Sequence, residues 1–93
     1  MNNVQFFKNY ANSNTFTVDV SKIAKFDHYH YGLLIYGTLS FAKVIPFTFC
    51  LAPAETFIYL NDSSVSATIE NKTIKITHKT DKFWGGIRML LFA

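Results

Sequence analysis

An all-β fold is what this sequence predicts: a small antiparallel β-sandwich or barrel, jelly-roll-like, of about eight short strands. Three observations carry the expectation. Val, Ile, Thr, Phe, Tyr and Trp make up 38 of the 93 residues, whereas Glu and Gln total three; the first set favours strands and the second helices. Apolar and polar residues alternate with a period of two in several segments, as a half-buried strand requires. Clusters of Asn, Asp, Ser, Pro and Gly separate those segments at short intervals, which is the spacing of a sandwich or barrel.

Along the chain, residues 1–14 hold five Asn around Val4, Phe6, Phe7 and Tyr10. They read as a lead-in segment, a connector or a first edge strand, ahead of a single β domain over 15–93. From Thr15 to Val20, Phe16, Val18 and Val20 alternate with Thr15, Thr17 and Asp19, and the apolar set is expected to face a core. Ser21 to Phe26 suits a short helical turn. Tyr29 to Ala42 is the longest strand signal. Its odd positions (Tyr29, Tyr31, Leu33, Ile35) are the more uniformly apolar and are expected to face inward. Its even positions (His30, Gly32, Leu34, Tyr36) form a mixed face, and Gly32 and Gly37 suit a bend or bulge.

Val44 to Leu51 alternates again, with Ile45, Phe47, Phe49 and Leu51 on one side. Pro46 cannot donate to a ladder and belongs near an edge or a strand start. Thr56 to Leu60 is a short apolar run, closed by the turn Asn61-Asp62-Ser63-Ser64. Taking Asn71-Lys72 as a two-residue loop then sets a hairpin register. Ile69 faces Ile74, Ala67 faces Ile76 and Val65 faces His78 on one side, while Glu70-Thr73, Thr68-Lys75 and Ser66-Thr77 pair on the other. A one-residue slip would mix the two faces, and Asn tolerates the positive φ of such a turn. In the closing segment, Phe83 to Phe92, both faces are largely apolar. That suggests a central sheet position or a subunit contact, with Gly85-Gly86 at a bulge or close backbone approach.

Composition narrows the function classes. The chain is 49% hydrophobic and 16% charged, against about 25% charged for an ordinary soluble domain. Disorder is excluded, and so many apolar residues suggest that other subunits cover part of the surface. The net charge of +3 is scattered and forms no basic patch, so nucleic acid is not an expected partner. The stretch from Tyr31 to Ala54 contains Lys43 and Pro46 and alternates, so membrane insertion is not expected. No leader is expected from the opening residues, which lack a basic start and an apolar core. The single Cys50 lies in an apolar strand and reads as a structural thiol. Asn61-Asp62-Ser63 and Asn71-Lys72-Thr73 match the glycosylation sequon but sit where turns favour Asn in any case.

Catalysis has little to stand on. There are two Glu and four Asp with no close pair, and no Gly-rich phosphate loop, so neither an enzyme nor a cofactor is expected. His28-Tyr29-His30 places two imidazoles at i and i+2, a spacing that can bind a metal given further ligands; two surface histidines is the plainer reading. Tyr29, Tyr31, Tyr36, Tyr59 and Trp84 could stack on sugar rings. The parity of the long strand turns Tyr29 and Tyr31 inward and leaves Tyr36 and Trp84 available. The candidate receptor-binding residues are therefore Asp27, His28, His30, Tyr36 and Trp84. The candidate oligomer interface is Trp84, Ile87, Met89, Leu90, Leu91 and Phe92.

The order of segments from Tyr29 resembles the C-terminal receptor-binding heads of phage tail-fibre and baseplate proteins. These too run through a long apolar strand (here Tyr31 to Phe41), a second strand with a Pro-containing loop (Ile45 to Pro53), an alternating hairpin (Val65 to His78) and a closing aromatic-rich strand (Phe83 to Ala93). The ending Lys82-Phe83-Trp84-Gly85-Gly86-Ile87-Arg88-Met89-Leu90-Leu91-Phe92 also resembles the last strand of tumour-necrosis-factor-like and complement-type trimeric heads. Both resemblances imply a homotrimeric β head that binds partners. The first implies a virion appendage, made in the host cytoplasm and joined to other virion proteins, that binds a host-surface saccharide or protein at clefts between subunits. The alternative is a structural protein of the particle, a decoration or baseplate module whose role is assembly alone.

Overall fold

The computed structural model describes residues 4–24, 28–37, 40, 42–52 and 55–92. Eight antiparallel strands form two sheets: β1 (Val4–Asn9), β2 (Thr15–Asp19), β3 (Tyr29–Tyr36), β4 (Lys43–Cys50), β5 (Phe57–Leu60), β6 (Val65–Glu70), β7 (Thr73–His78) and β8 (Ile87–Phe92). One sheet has the order β1-β8-β3-β4-β5 and the other β2-β7-β6. This is the all-β sandwich the alternation predicts. Among the described residues no helix is long and apolar enough to cross a membrane.

The smaller sheet follows the sequence pattern residue for residue. The β6–β7 hairpin pairs Val65 with His78, Ala67 with Ile76 and Ile69 with Ile74, as the two-residue loop requires. Asn71 and Lys72 have φ of 51° and 59°, so both adopt the left-handed conformation that joins twisted strands tightly. β2 adds to β7 with Phe16 opposite Ile76 and Val18 opposite Ile74. Phe16, Val18, Val20, Ile74 and Ile76 are buried against the larger sheet. Chain reversal after β2 is a turn closed by amides of Ile23 and Ala24 donating to the Val20 carbonyl. The rest of the expected helical segment, 25–26, lies outside the described residues.

In the larger sheet, β8 lies between β1 and β3; its Ile87, Met89 and Leu91 face enters the core, whereas its second apolar face, with Leu90 and Phe92, lies on the outer side of the sheet. Residues 4–9 are the edge strand beside it, so the sheet extends into the lead-in segment. Pro46 in β4 lies opposite Leu33 of β3, one residue beyond the last β5 partner, the Phe47–Leu60 pair. Its missing donor therefore falls where the neighbouring strand has ended. Gly85 and Gly86 have φ of 85° and 88°. A Cβ on Gly86 would lie 2.8 Å from the Tyr10 Cα and 2.9 Å from the Asn9 oxygen, so this is the close backbone approach expected there.

One expectation is reversed. In β3 the even residues His30, Gly32, Leu34 and Tyr36 are buried, whereas Tyr29 and Tyr31 are exposed and Leu33 and Ile35 half-buried. The neighbours decide this. Leu34 lies opposite Ile45 on one side and Met89 on the other, and Gly32 opposite Phe47 and Leu91. Directly opposed residues share a face, so Ile45, Phe47, Met89 and Leu91 carry the even set inward. Gly32 reads as a gap in the sequence but holds the Phe47 ring: a Cβ there would lie 2.4 Å from Phe47 Cζ.

Candidate recognition surface

The two sheets present outer faces of opposite character. On the three-stranded sheet the outward residues are Thr15, Thr17 and Asp19 of β2, Thr73, Lys75 and Thr77 of β7, and Ser66, Thr68 and Glu70 of β6. All nine are polar. On the five-stranded sheet the outward residues form four cross-strand rows: Tyr29-Cys50-Phe57, Val4-Phe92-Tyr31-Thr48-Tyr59, Phe6-Leu90-Leu33-Pro46 and Lys8-Arg88-Ile35-Val44. Val4, Phe6, Tyr31, Val44 and Tyr59 are each more than half exposed. Strand spacings of about 4.8 Å and a rise of about 3.4 Å per residue give the three longer rows a footprint of roughly 400 Å². That is within the range of the largest apolar patch on a typical monomer, about 300–600 Å², a patch that is often functional.

Charge is confined to the rim. Lys8 and Arg88 are direct cross-strand partners, a like-charge arrangement that costs free energy. The Tyr10 ring offsets it, with Lys8 Nζ and Arg88 Cζ each 5.1 Å from its centroid, where the ring quadrupole attracts cations. At the opposite edge, Lys43 Nζ lies 2.8 Å from Asp62 Oδ2. Asp62 Oδ1 accepts from the Ser64 amide and hydroxyl, both at 2.8 Å. The Lys43 ammonium first, with the Ser64 donors, holds the Asp62 carboxyl down at about 2.

Where β3, β4 and β5 meet, Tyr31 and Tyr59 flank Thr48 and form the walls of a groove of about 490 Å³. Pro46 and Thr48 lie between them and Asn61 closes one end. The Thr48 hydroxyl donates to the His30 carbonyl at 2.9 Å. Among the described residues no charged side chain lines the groove.

The residues expected to bind a receptor do not come together. His30 is 5% exposed and stacks on Phe49 at 5.0 Å. Tyr36 is 9% exposed and meets Phe83 and His78 edge-on at 5.1 and 5.9 Å. Both follow from the reversed parity of β3. His28 precedes the strand and is exposed, so His28 and His30 do not present one metal-binding face. Asp27 lies outside the described residues. Trp84 is exposed in the turn before β8, with its indole N–H donating to Asp81 Oδ1 at 3.0 Å and Lys82 Nζ 5.7 Å from its ring.

The expected interface residues divide in the same way. Ile87, Met89 and Leu91 are core residues, at most 1% exposed, because the β2-β7-β6 sheet covers the inner face of β8. Leu90 and Phe92 point outward beside Phe6 and Val4. The sequence reading missed Val4, Phe6, Tyr31 and Val44 as surface residues. The signal that could have found Tyr31 was the pairing of Gly32 with a bulky Phe47.

A second cleft of about 560 Å³ is polar and lined by Asn14, His78, Lys79, Thr80, Asp81 and Lys82. Its imidazole has a structural job. His78 Nδ1 accepts the Asp81 amide at 3.1 Å, while the ring packs against Phe83 at 5.4 Å. Comparison with protein-family models, curated proteins and solved structures found no match to this chain.

Proposed function

We propose that the chain is a non-enzymatic β-sandwich subunit that assembles with further copies of itself, as a trimer, into a head that attaches a virion appendage to a host-surface receptor. The observation that carries the assembly is the contrast between the two outer faces. The three-stranded sheet offers water an entirely polar face, whereas the five-stranded sheet offers Val4, Phe6, Leu90, Phe92 and Leu33 with charge only at the rim. An interface of standard size takes about 800 Å² of accessible surface from each partner, about twice the footprint of the three longer rows of this face, so the apolar rows on the β1–β8 side supply the centre of the contact and neighbouring polar surface the remainder, with the Tyr31–Tyr59 groove at the β4–β5 edge left open. The attachment role is supported by the order of segments from Tyr29 onward and by the two exposed tyrosines of the groove. An assembly-only role in the particle is the second reading, favoured by the lack of polar groups in the middle of the apolar face.

Light scattering tests the assembly. The purified chain at micromolar concentration should have about three times the 10.6 kDa chain mass. Phe6→Asp, which places a charge in the exposed apolar row, should give a monomer with an unchanged circular dichroism spectrum. A wild-type chain that is monomeric under these conditions would remove the proposal.

A further inference from the structure

We propose that the Tyr31–Tyr59 groove is a binding site for one neutral pyranose ring of a surface saccharide. The inference rests on the receptor-binding reading and gives it a site. Tyr31 and Tyr59 are cross-strand neighbours once removed, with Thr48 between them, so their Cα atoms are about 10 Å apart at about 4.8 Å per strand. Strand side chains stand roughly perpendicular to the sheet, so the two phenols rise on either side of Thr48 and both line the groove. A flat ligand in contact with both walls needs two van der Waals separations of about 3.5–4.0 Å, or about 7–8 Å, which fits. Two stacked rings need three such separations and do not fit.

The polar groups define the rest of the ligand. The described lining, Tyr31, Pro46, Phe47, Thr48, Tyr59 and Asn61, carries no charge, so a neutral ligand matches it. The Thr48 hydroxyl hydrogen is committed to the His30 carbonyl, which leaves its oxygen as an acceptor toward the groove. The Asn61 amide supplies one acceptor and two donors. The ligand must therefore bring both donors and acceptors along an edge and apolar faces above and below, as a hexose does. A proline-rich peptide also suits an aromatic-lined groove. Its backbone offers carbonyl acceptors and few donors, so it would leave the Thr48 and Asn61 oxygens unpaired, a costly outcome once water is excluded.

Saturation-transfer NMR and calorimetry with the full chain test the site. The probes are methyl glycosides of glucose, galactose, mannose and N-acetylglucosamine, with a sialyl glycoside and a proline-rich peptide as controls. At least one neutral glycoside should bind. Tyr31→Ala and Tyr59→Ala should each weaken it about tenfold or more, and Tyr59→Phe, which keeps the stacking face, should weaken it less. Scattering mass is measured on every sample. Neutral-sugar binding that survives both alanine variants overturns the groove and leaves the receptor reading standing. Binding of only the sialoside or the peptide, or of no probe, overturns the pyranose assignment, while the mass judges the assembly separately.

Discussion

Gly32→Ala distinguishes the two possible faces of β3 by the sign of its effect. If the odd residues of this strand pointed inward, position 32 would be on the surface. Alanine there would then stabilise the protein by about 0.5–1 kcal/mol, because glycine has more freedom to lose in a strand. In the structure position 32 faces the core. The added Cβ would lie 2.4 and 2.5 Å from two Phe47 ring carbons and 2.6 Å from the Leu90 carbonyl oxygen, against a carbon contact distance of about 3.5–4.0 Å. The ring can shift, but the Leu90 oxygen belongs to the β8 backbone, whose pairing with β3 fixes the spacing. Overpacking of this kind costs about 1–3 kcal/mol, and the upper part of that range applies where backbone is one of the obstacles. With the entropy gain subtracted, the net loss is about 2 kcal/mol, or a fall of about 8–16 °C in Tm at this chain length. Urea melts of the wild type, Gly32→Ala, Phe47→Leu and the double variant form a cycle. The smaller side chain should recover about 1 kcal/mol of the alanine cost, since residues in contact couple by that order. An increase in stability for Gly32→Ala, or additivity in the cycle, would refute the assignment of the inward face.

Two further perturbations follow from the smaller sheet and the charged rim. Ile76, fully buried in β7, should cost about 2–5 kcal/mol when cut to alanine, whereas its neighbour Thr77, on the outer face, should cost within about 0.5 kcal/mol; equal losses in urea melts would refute the hairpin register. The Asp62 carboxyl is held at about 2, below its unfolded value of about 3.9, so its contribution is present above pH 4 and is lost as pH falls toward 2. Lys43 is nearly half exposed, so screening keeps the contribution of the pair small. Between pH 5 and pH 2.5 the wild type should therefore lose more stability than Asp62→Asn, and equal losses would exclude the pair as the cause.

The sequence by itself determined the parts of this protein in which local pattern and burial coincide. In the β6–β7 hairpin, polar and apolar residues separate cleanly, the loop is two residues long, and Asn71 accepts the backbone conformation it needs. The pairing follows from one strand and its immediate neighbour. The same holds for Phe16, Val18 and Val20 of β2, where the other side is wholly polar, and for Ile45, Phe47, Phe49 and Leu51 around β4, where one side carries the larger apolar residues. Tertiary structure decided what β3 and β8 do. Each has two largely apolar sides, so period two alone does not say which side is covered. The choice came from partners distant in sequence: Ile45 and Met89 flank Leu34, and Phe47 fills the space above Gly32. That choice put His30 and Tyr36 inside and Tyr31 outside, within reach of Tyr59. It also left Leu90 and Phe92 on the surface, beside the Val4 and Phe6 of an edge strand contributed from the other end of the chain. An outer face built from five strands is set by their order across the sheet, and alternation within any one strand carries no information about that order.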